Sequence, residues 1–241
     1  MIKFFRTIRK DLMEKNNTGK YLKYAIGEII LVVIGILIAL SINNWNEQQK
    51  INVQELIILK ELKLSLESNK TILNTRIMNS KDKILRGKFL QEHLKEKLPY
   101  NDSLRNFFRI PTFALSAGLS YASFDNTKNQ GLQLIKNNGL RLELIRLFDE
   151  EFKEVTELGI NSSRLLTNTI APFIQKHFEY TTSGLVPNDY MALLNAKEYA
   201  NILSRSIYLN NLASDLSSDV LLKIDVLMEA LDKEIRHLEK R

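Results

Sequence analysis

Three histidines, His93, His177 and His237, are the first side chains whose type could do chemistry. Two imidazoles at i, i+4 on one helix, as in H-E-x-x-H, would hold zinc beside a general base. None of the three has such a partner, and the hydrophobic pattern puts them on separate helices. Glu92 and Glu96 flank His93, and the expectation there is a set of charged neighbours on an exposed face. Ser162, Ser163, Ser217 and Ser218 have no nearby histidine to act as a base. The chain has no cysteine, which excludes thiol catalysis, thiolate metal ligands and disulfides. No Walker loop, G-x-G-x-x-G fingerprint or G-x-S-x-G elbow occurs. Carboxylates are scattered among lysines, as on solvated helix faces. The sequence therefore predicts no catalytic residue, no metal site and no cofactor, and the protein is expected not to be an enzyme.

The remaining chemical oddity is Glu28, inside the apolar stretch YAIGEIILVVIGILIALSINNWNE at 24–47. The strictly apolar part, Ile29–Ile42, is too short for the roughly 30 Å hydrocarbon core of a bilayer at about 1.5 Å per residue. Ala25–Trp45 reaches about 31 Å, so a full span contains Glu28, about 4.5 Å from its edge. Six Ile, three Leu and two Val in 29–42 contribute several kcal/mol toward insertion, against about 2.5–3.5 for a charge at the bilayer centre and less near its edge. Insertion wins. Glu28 is read as a tolerated edge carboxylate or as a contact with a polar group on another span. Gly35 and Ala39 form a small-xxx-small pair that lets a second helix approach. Tyr21 and Tyr24 on one side and Trp45 on the other mark the interfaces.

Charge position gives orientation. Residues 1–43 hold seven Lys/Arg against three Asp/Glu, leaving 27 and 25 for the rest of the chain. The overall +6 is thus concentrated beside the apolar run, which argues for topology and lipid contact and against nucleic acid. Only Lys50, Lys60 and Lys63 follow within twenty residues of the span. The N-terminus is expected in the cytoplasm, the span in the inner (cytoplasmic) membrane and the rest in the periplasm. Ile2, Phe5, Ile8 and Leu12 fall near one helical face, with Lys3, Arg6, Arg9 and Lys10 placed for lipid headgroups. A cleaved signal peptide is the rival, since Ala39-Leu40-Ser41 resembles a cleavage site. The 23-residue basic lead and the apolar run beyond Ser41 favour an uncleaved anchor.

With 9 Gly and 4 Pro in 241 residues, the elements positioning these groups are expected to be long helices. The fold class predicted is all-α: a transmembrane helix followed by an elongated antiparallel helical bundle. The boundaries are a basic amphipathic segment at 1–18, a span at 21–46 and an outer domain at 47–241. One helix is expected from Asn46 to Met78, continuing the span with little or no break. Leu59, Leu62, Leu66 and Leu73 form its stripe, with Asn69 and Arg76 at two stripe positions. A second run covers Ser80–Lys97, and Pro99 ends it. Residues 99–120 read as a loop with short turns that tuck Phe107, Phe108 and Phe113 onto the bundle. Tyr121–Gln130 reads as a short helix stopped by Gly131, with Asn137 or Asn138 capping the next. That helix carries Leu140, Leu144, Phe148, Phe152, Val155 and Leu158; its acidic Asp149-Glu150-Glu151 run and outer location argue against a helix–turn–helix DNA reader. Pro172 should kink or restart a helix. TTSGLVPND reads as a loop, and Tyr190–Leu194 as a turn or two. The last helix, about Lys197–Glu239, has a stripe from Leu209 to Leu238 with mean spacing 3.6.

GKYLKYAIGEIILVVIGILIALSINNWNE at 19–47, with the basic lead FFRTIRKDLMEKN, resembles a Bacteroidota domain-of-unknown-function family of single-span membrane proteins. YASFDNTKNQGLQLIKNNGLRLELI at 121–145 is a looser match. This chain has Gln130-Gly131 where that family usually has Ser-Gly, so no role of that serine carries over. The resemblance implies the topology and an all-helical outer domain, and no activity. The function expected is a membrane-anchored periplasmic helical module working through protein contacts, with other membrane or periplasmic proteins or with itself. The alternative is a ligand-binding sensor signalling through a partner's span.

Overall fold

A computed structural model describes residues 18–115 and 118–240. The expected amphipathic segment at 1–18, with Lys3, Arg6, Arg9 and Lys10, falls almost wholly outside them. The described chain is built from helices, with one small pair of strands. Its contacts divide it into two units, Met1–Gln54 and Glu55–Arg241.

The first helix, α1, runs from Thr18 to Lys95 without interruption. A break near Ser80 is absent because nothing there forces one: no Pro or Gly lies between Ile36 and Arg86. In the first unit the side chains from Leu22 to Trp45 are largely uncovered, with Ile29 at 63% and Ile42 at 61% exposure. This helix is long and apolar enough to cross a membrane.

In the second unit α1 shows one buried stripe. Leu59, Leu62, Leu66, Asn69, Leu73, Arg76 and Ser80 are buried at alternating three- and four-residue spacing. Its end is closed locally: the Leu98 amide donates to the His93 carbonyl at 3.2 Å, and Lys97 takes a positive φ. Residues 102–112 form a 3-10 turn at Asp102–Leu104, the short α2 at Arg105–Phe108 and a second 3-10 turn at Ile110–Thr112. Phe108 is fully buried, while Phe113 stays exposed. Helix α3, Ala122–Gln130, stops at Gly131, whose φ of +111° glycine adopts most readily.

Asn137 caps α4 (Asn138–Arg146), its Oδ1 accepting from the Leu140 amide at 3.1 Å. Helix α5 covers Phe152–Leu165 and α6 covers Ala171–His177. Two wide π turns, Leu147–Glu151 and Leu166–Ile170, join the three. The proline effect is resolved here: Pro172 sits in the first turn of α6, just after the second π turn, where a missing N–H matters least.

The expected loop TTSGLVPND contains the second strand of a hairpin. Strand β1 is Phe178–Thr181 and β2 is Gly184–Pro187, antiparallel with Phe178 opposite Pro187. Helix α7 follows at Tyr190–Leu194, capped by Asp189. The last helix, α8, spans Lys197–Leu238, about 63 Å long. Every position of its expected stripe from Leu209 to Leu238 is buried except Leu216, which is half-buried.

The part of α1 in the second unit and α8 run antiparallel, and their cross-partners show the register: Lys63 with Asp232, Lys70 with Asp225 and Gln91 with Ser204. Two large apolar clusters lie in this unit, beside a small third one of Leu115, Leu209 and Ala213. One combines Leu62 and Leu66 with Phe124, Phe148, Phe152 and Ile224, where Phe124 and Phe148 stack at 4.5 Å. The other gathers Leu90, Phe108, Phe173, Phe178, Tyr199 and Leu203. Burial of these aromatic and aliphatic side chains, at roughly 25 cal/mol per Å² of apolar surface removed from water, holds the second unit together.

Candidate functional site

Glu28, Gly35 and Ala39 share one face of α1, since offsets of seven and eleven residues return within about 20° of the starting direction at 100° per residue. Glu28 is half-buried, while Gly35 and Ala39 are exposed. A Cβ added at Gly35 would meet nothing within 4 Å. Tyr24 and Trp45 are both exposed, at 55% and 65%. Their 21-residue separation on a continuous helix is about 32 Å, the thickness of a bilayer's apolar layer. Tyr21 lies in the first turns of α1, with its ring outside the described part. The basic residues Lys3, Arg6, Arg9 and Lys10 lie outside it altogether.

The histidines remain apart. His93 is buried, correcting the exposed-face reading: its Nε2 lies 3.2 Å from the Pro99 carbonyl, tying the end of α1 to the following loop. His177 stacks on Phe173 at 4.4 Å, and His237 is exposed on α8. Among the described residues no three His, Asp or Glu side chains converge where a metal ion would fit.

What the fold does bring together are buried polar groups on the α1 stripe, each directed at a loop. Glu55, with no exposure, accepts from the Lys136 amide at 2.7 Å. Asn69, also fully buried, binds both backbone groups of Ser120. Burial of such groups is tolerated because they are hydrogen-bonded. Glu55 Oε2 makes no hydrogen bond but has the Lys136 ammonium 3.9 Å away, whereas Arg76 is less well provided. It is 6% exposed, and Nη1 donates to the Val155 carbonyl at 3.3 Å. Its Nε and Nη2 are buried without a partner. Burial lowers the Arg76 pKa to about 10, so it remains charged at neutral pH.

Beside Arg76 is a hollow of about 280 Å³, to which Asn79, Ser80 and Lys83 also contribute. Lys83 is half-buried, its Nζ 5.0 Å from the centre of the Phe113 ring. Burial pulls its pKa below the usual lysine value; Asp82 opposes the shift and the Arg76 charge adds to it. In the sequence Arg76 falls on the stripe with no role evident, and Asn79, Ser80 and Lys83 belong to no motif. The legible signal was a basic residue on an apolar stripe with a second one seven residues on.

Two further surface hollows lie on the same unit. One of about 500 Å³ is lined by Tyr121, Thr156, Gly159, Ser163 and Arg164. The other, about 480 Å³, lies between α4 and α8 and is lined mainly by Leu140, Leu147, Leu222, Val226 and Leu227. Both stand beside π turns, distortions often found at functional sites.

No curated protein and no solved structure matches the chain. A family model described as a family of unknown function, DUF6090, matches residues 28–158, from Glu28 through the Arg76 hollow and into α5. That match covers more than half of the 241 residues, and the chain belongs to this family of unknown function.

Proposed function

We propose that the protein is a membrane-anchored helical module of the inner (cytoplasmic) membrane that works through protein contacts and not by catalysis. The observation that carries this reading is the bare apolar surface of α1. Leu22, Ile26, Ile29–Ile34, Ile36–Ile38, Leu40 and Ile42 are each 46–63% exposed, and none of that stretch is buried among the described residues. An unbroken apolar surface of that extent is unfavourable in water and satisfied in lipid. In this reading residues 21–46 span the bilayer once. Tyr21, Tyr24 and Trp45 sit at its interfaces, and Lys3, Arg6, Arg9 and Lys10 meet anionic headgroups on the cytoplasmic side. The 47–241 part stands in the periplasm as an elongated antiparallel bundle. The face holding Glu28, Gly35 and Ala39 is where a second span, from this chain or a partner, packs.

Two measurements test the reading. A reporter that is active only outside the cytosol, fused after Arg241, is expected to be active. A cytosolic reporter, or a mature chain beginning near Ile42, overturns the topology. Because the chain has no cysteine, Ala39→Cys supplies a lone thiol. Mild oxidation of native membranes is expected to trap it in a disulfide-linked adduct, and exclusively monomeric protein argues against the contact face.

A second reading, a ligand-binding sensor that signals through a partner's span, is favoured by the surface hollows of the second unit. Its test is a ligand-dependent change in the Ala39→Cys cross-linking yield; an unchanged yield with bound ligand overturns it.

A further inference from the structure

Arg76 presents an unbalanced charge. A guanidinium carries five N–H donors in a rigid fork. Here a single distant bond to the Val155 carbonyl is made, and Nε and Nη2 lie buried with no acceptor. No carboxylate lines the adjoining hollow. A buried cation without counter-charge or full hydrogen bonding is among the costlier arrangements a protein interior can hold. Glu55 Oε2, on the same stripe, is also buried without a hydrogen bond, but the Lys136 ammonium lies 3.9 Å from it; Arg76 has no such counter-charge among the described residues.

Lys83 adds a second cation. It follows Arg76 by seven residues on α1, about 10 Å along the axis and on nearly the same face. Two like charges facing one hollow repel each other, which favours occupancy by something negative. The other polar groups there are suited to it. Ser80 is 2% exposed, and neither its hydroxyl nor the Asn79 amide is engaged within the described protein, so both are available to donate. Leu115 closes the apolar side. Liquid water takes about 30 Å³ per molecule, so the hollow of about 280 Å³ is large enough for a compact oxyanion and too small for lipid tails.

We propose that this hollow is a binding site for a small phosphate-type oxyanion, held by Arg76 and Lys83 with donors from Asn79 and Ser80. The two positive charges match a phosphate dianion. The Arg76 guanidinium borders the hollow and keeps its full positive charge, the kind of partner that phosphoryl oxygens take. The site rests on neither reading of the chain's role given above. It follows from the charges and donors of the second unit alone, and it stands or falls separately from the membrane topology.

The test uses the full-length protein in detergent. Thermal unfolding and titration calorimetry are run with inorganic phosphate, glycerol phosphate, succinate and chloride at matched ionic strength. Phosphate is expected to raise the unfolding temperature saturably, beyond the effect of chloride, because only ligand bound to the folded state does so. Lys83→Met is expected to weaken binding at least tenfold and to leave the unliganded unfolding temperature nearly unchanged, since Lys83 is half-buried. Arg76→Met is expected to abolish binding while holding or raising unliganded stability, because it removes an uncompensated charge at similar volume. Tighter binding of glycerol phosphate than of phosphate assigns the natural ligand to the phosphate esters; the reverse assigns it to the free ion. Four results overturn the proposal: phosphate acting no more strongly than chloride, succinate binding as tightly as phosphate, Lys83→Met binding phosphate like the parent, or Arg76→Met losing binding only because it unfolds.

Discussion

Asn69 and Ser120 hold each other through two hydrogen bonds. Asn69 Nδ2 donates to the Ser120 carbonyl at 2.9 Å, and the Ser120 amide donates to Asn69 Oδ1 at 2.8 Å. The side chain mimics a strand neighbour for one residue of loop, and it does so with no exposure to water. The loop thereby fixes the entry to α3, whose Phe124 stacks on Phe148.

Removing that clamp leaves both Ser120 backbone groups without partners. Asn69→Leu is expected to cost about 2–4 kcal/mol, read from urea denaturation. Asn69→Asp keeps one acceptor but points a buried carboxylate at a carbonyl. Such an acid binds its proton more tightly folded than unfolded, so its cost is present at neutral pH and is relieved as the pH falls. Recovery of Asn69→Asp below neutral pH, without recovery of Asn69→Leu, is the expected pattern.

Gly184 begins β2 at φ +135°, and a Cβ built there would lie 2.5 Å from the Arg105 carbonyl oxygen. Two faults coincide: a conformation that L side chains rarely adopt and a clash with backbone of α2. Gly184→Ala is expected to destabilise by more than about 2 kcal/mol. Hydrogen exchange should place the loosening first in the Phe178–Pro187 hairpin, and uniform loosening would contradict this account.

Tyr199 is 1% exposed among Phe108, Phe173 and Phe178, and its hydroxyl has no partner. Burial pushes its pKa far above the ordinary tyrosine value. The unfolded phenol ionises near pH 10, so above that pH the unfolded state releases a proton that the folded state keeps. Stability from this group is therefore complete below pH 10 and declines as the pH rises, by about 1.4 kcal/mol at pH 11. Tyr199→Phe is expected to match or exceed the parent at pH 8 and to lose about that much less between pH 8 and 11. Equal losses in both proteins would refute the assignment.

Ile34 lies midway along the bare apolar stretch of α1 and is 50% exposed. Ile34→Arg is expected to disfavour insertion by about 3–4 kcal/mol. The amount of protein resisting alkaline extraction of membranes should fall. Ile57→Arg changes a residue of similar exposure, 52%, outside that stretch, and should leave extraction unaltered.

The last helix was legible because a single property, apolar spacing of 3.6 residues, was written over its whole length. The stop at Gly131 and the cap at Asn137 were legible for a related reason, since each is a local backbone requirement met by one residue type. The hairpin was not. Thr182 and Ser183 make its turn without the Asn-Gly or Asp-Gly signal that marks two-residue loops, and the positive φ falls on Gly184. Its strands are four residues each, too short for alternation to declare itself. The two π turns left no trace in the pattern, because inserting one residue into a helix shifts its buried face without changing which residues are apolar.

Composition and periodicity alone determined that the chain is helical and that one helix is apolar enough to cross a membrane. They also showed that Asn69 and Arg76 interrupt an otherwise hydrophobic stripe. Those are one-dimensional properties, set by which side chains recur at which spacing. What each interruption does was decided only by what the folded chain lays against it. A loop backbone meets Asn69 and engages both its amide and its carbonyl. Arg76 meets one carbonyl and an open hollow that it shares with Lys83. Desolvation and hydrogen bonding depend on neighbours distant in sequence, so two polar residues that look alike on a helical stripe end as a structural clamp and as an unbalanced charge.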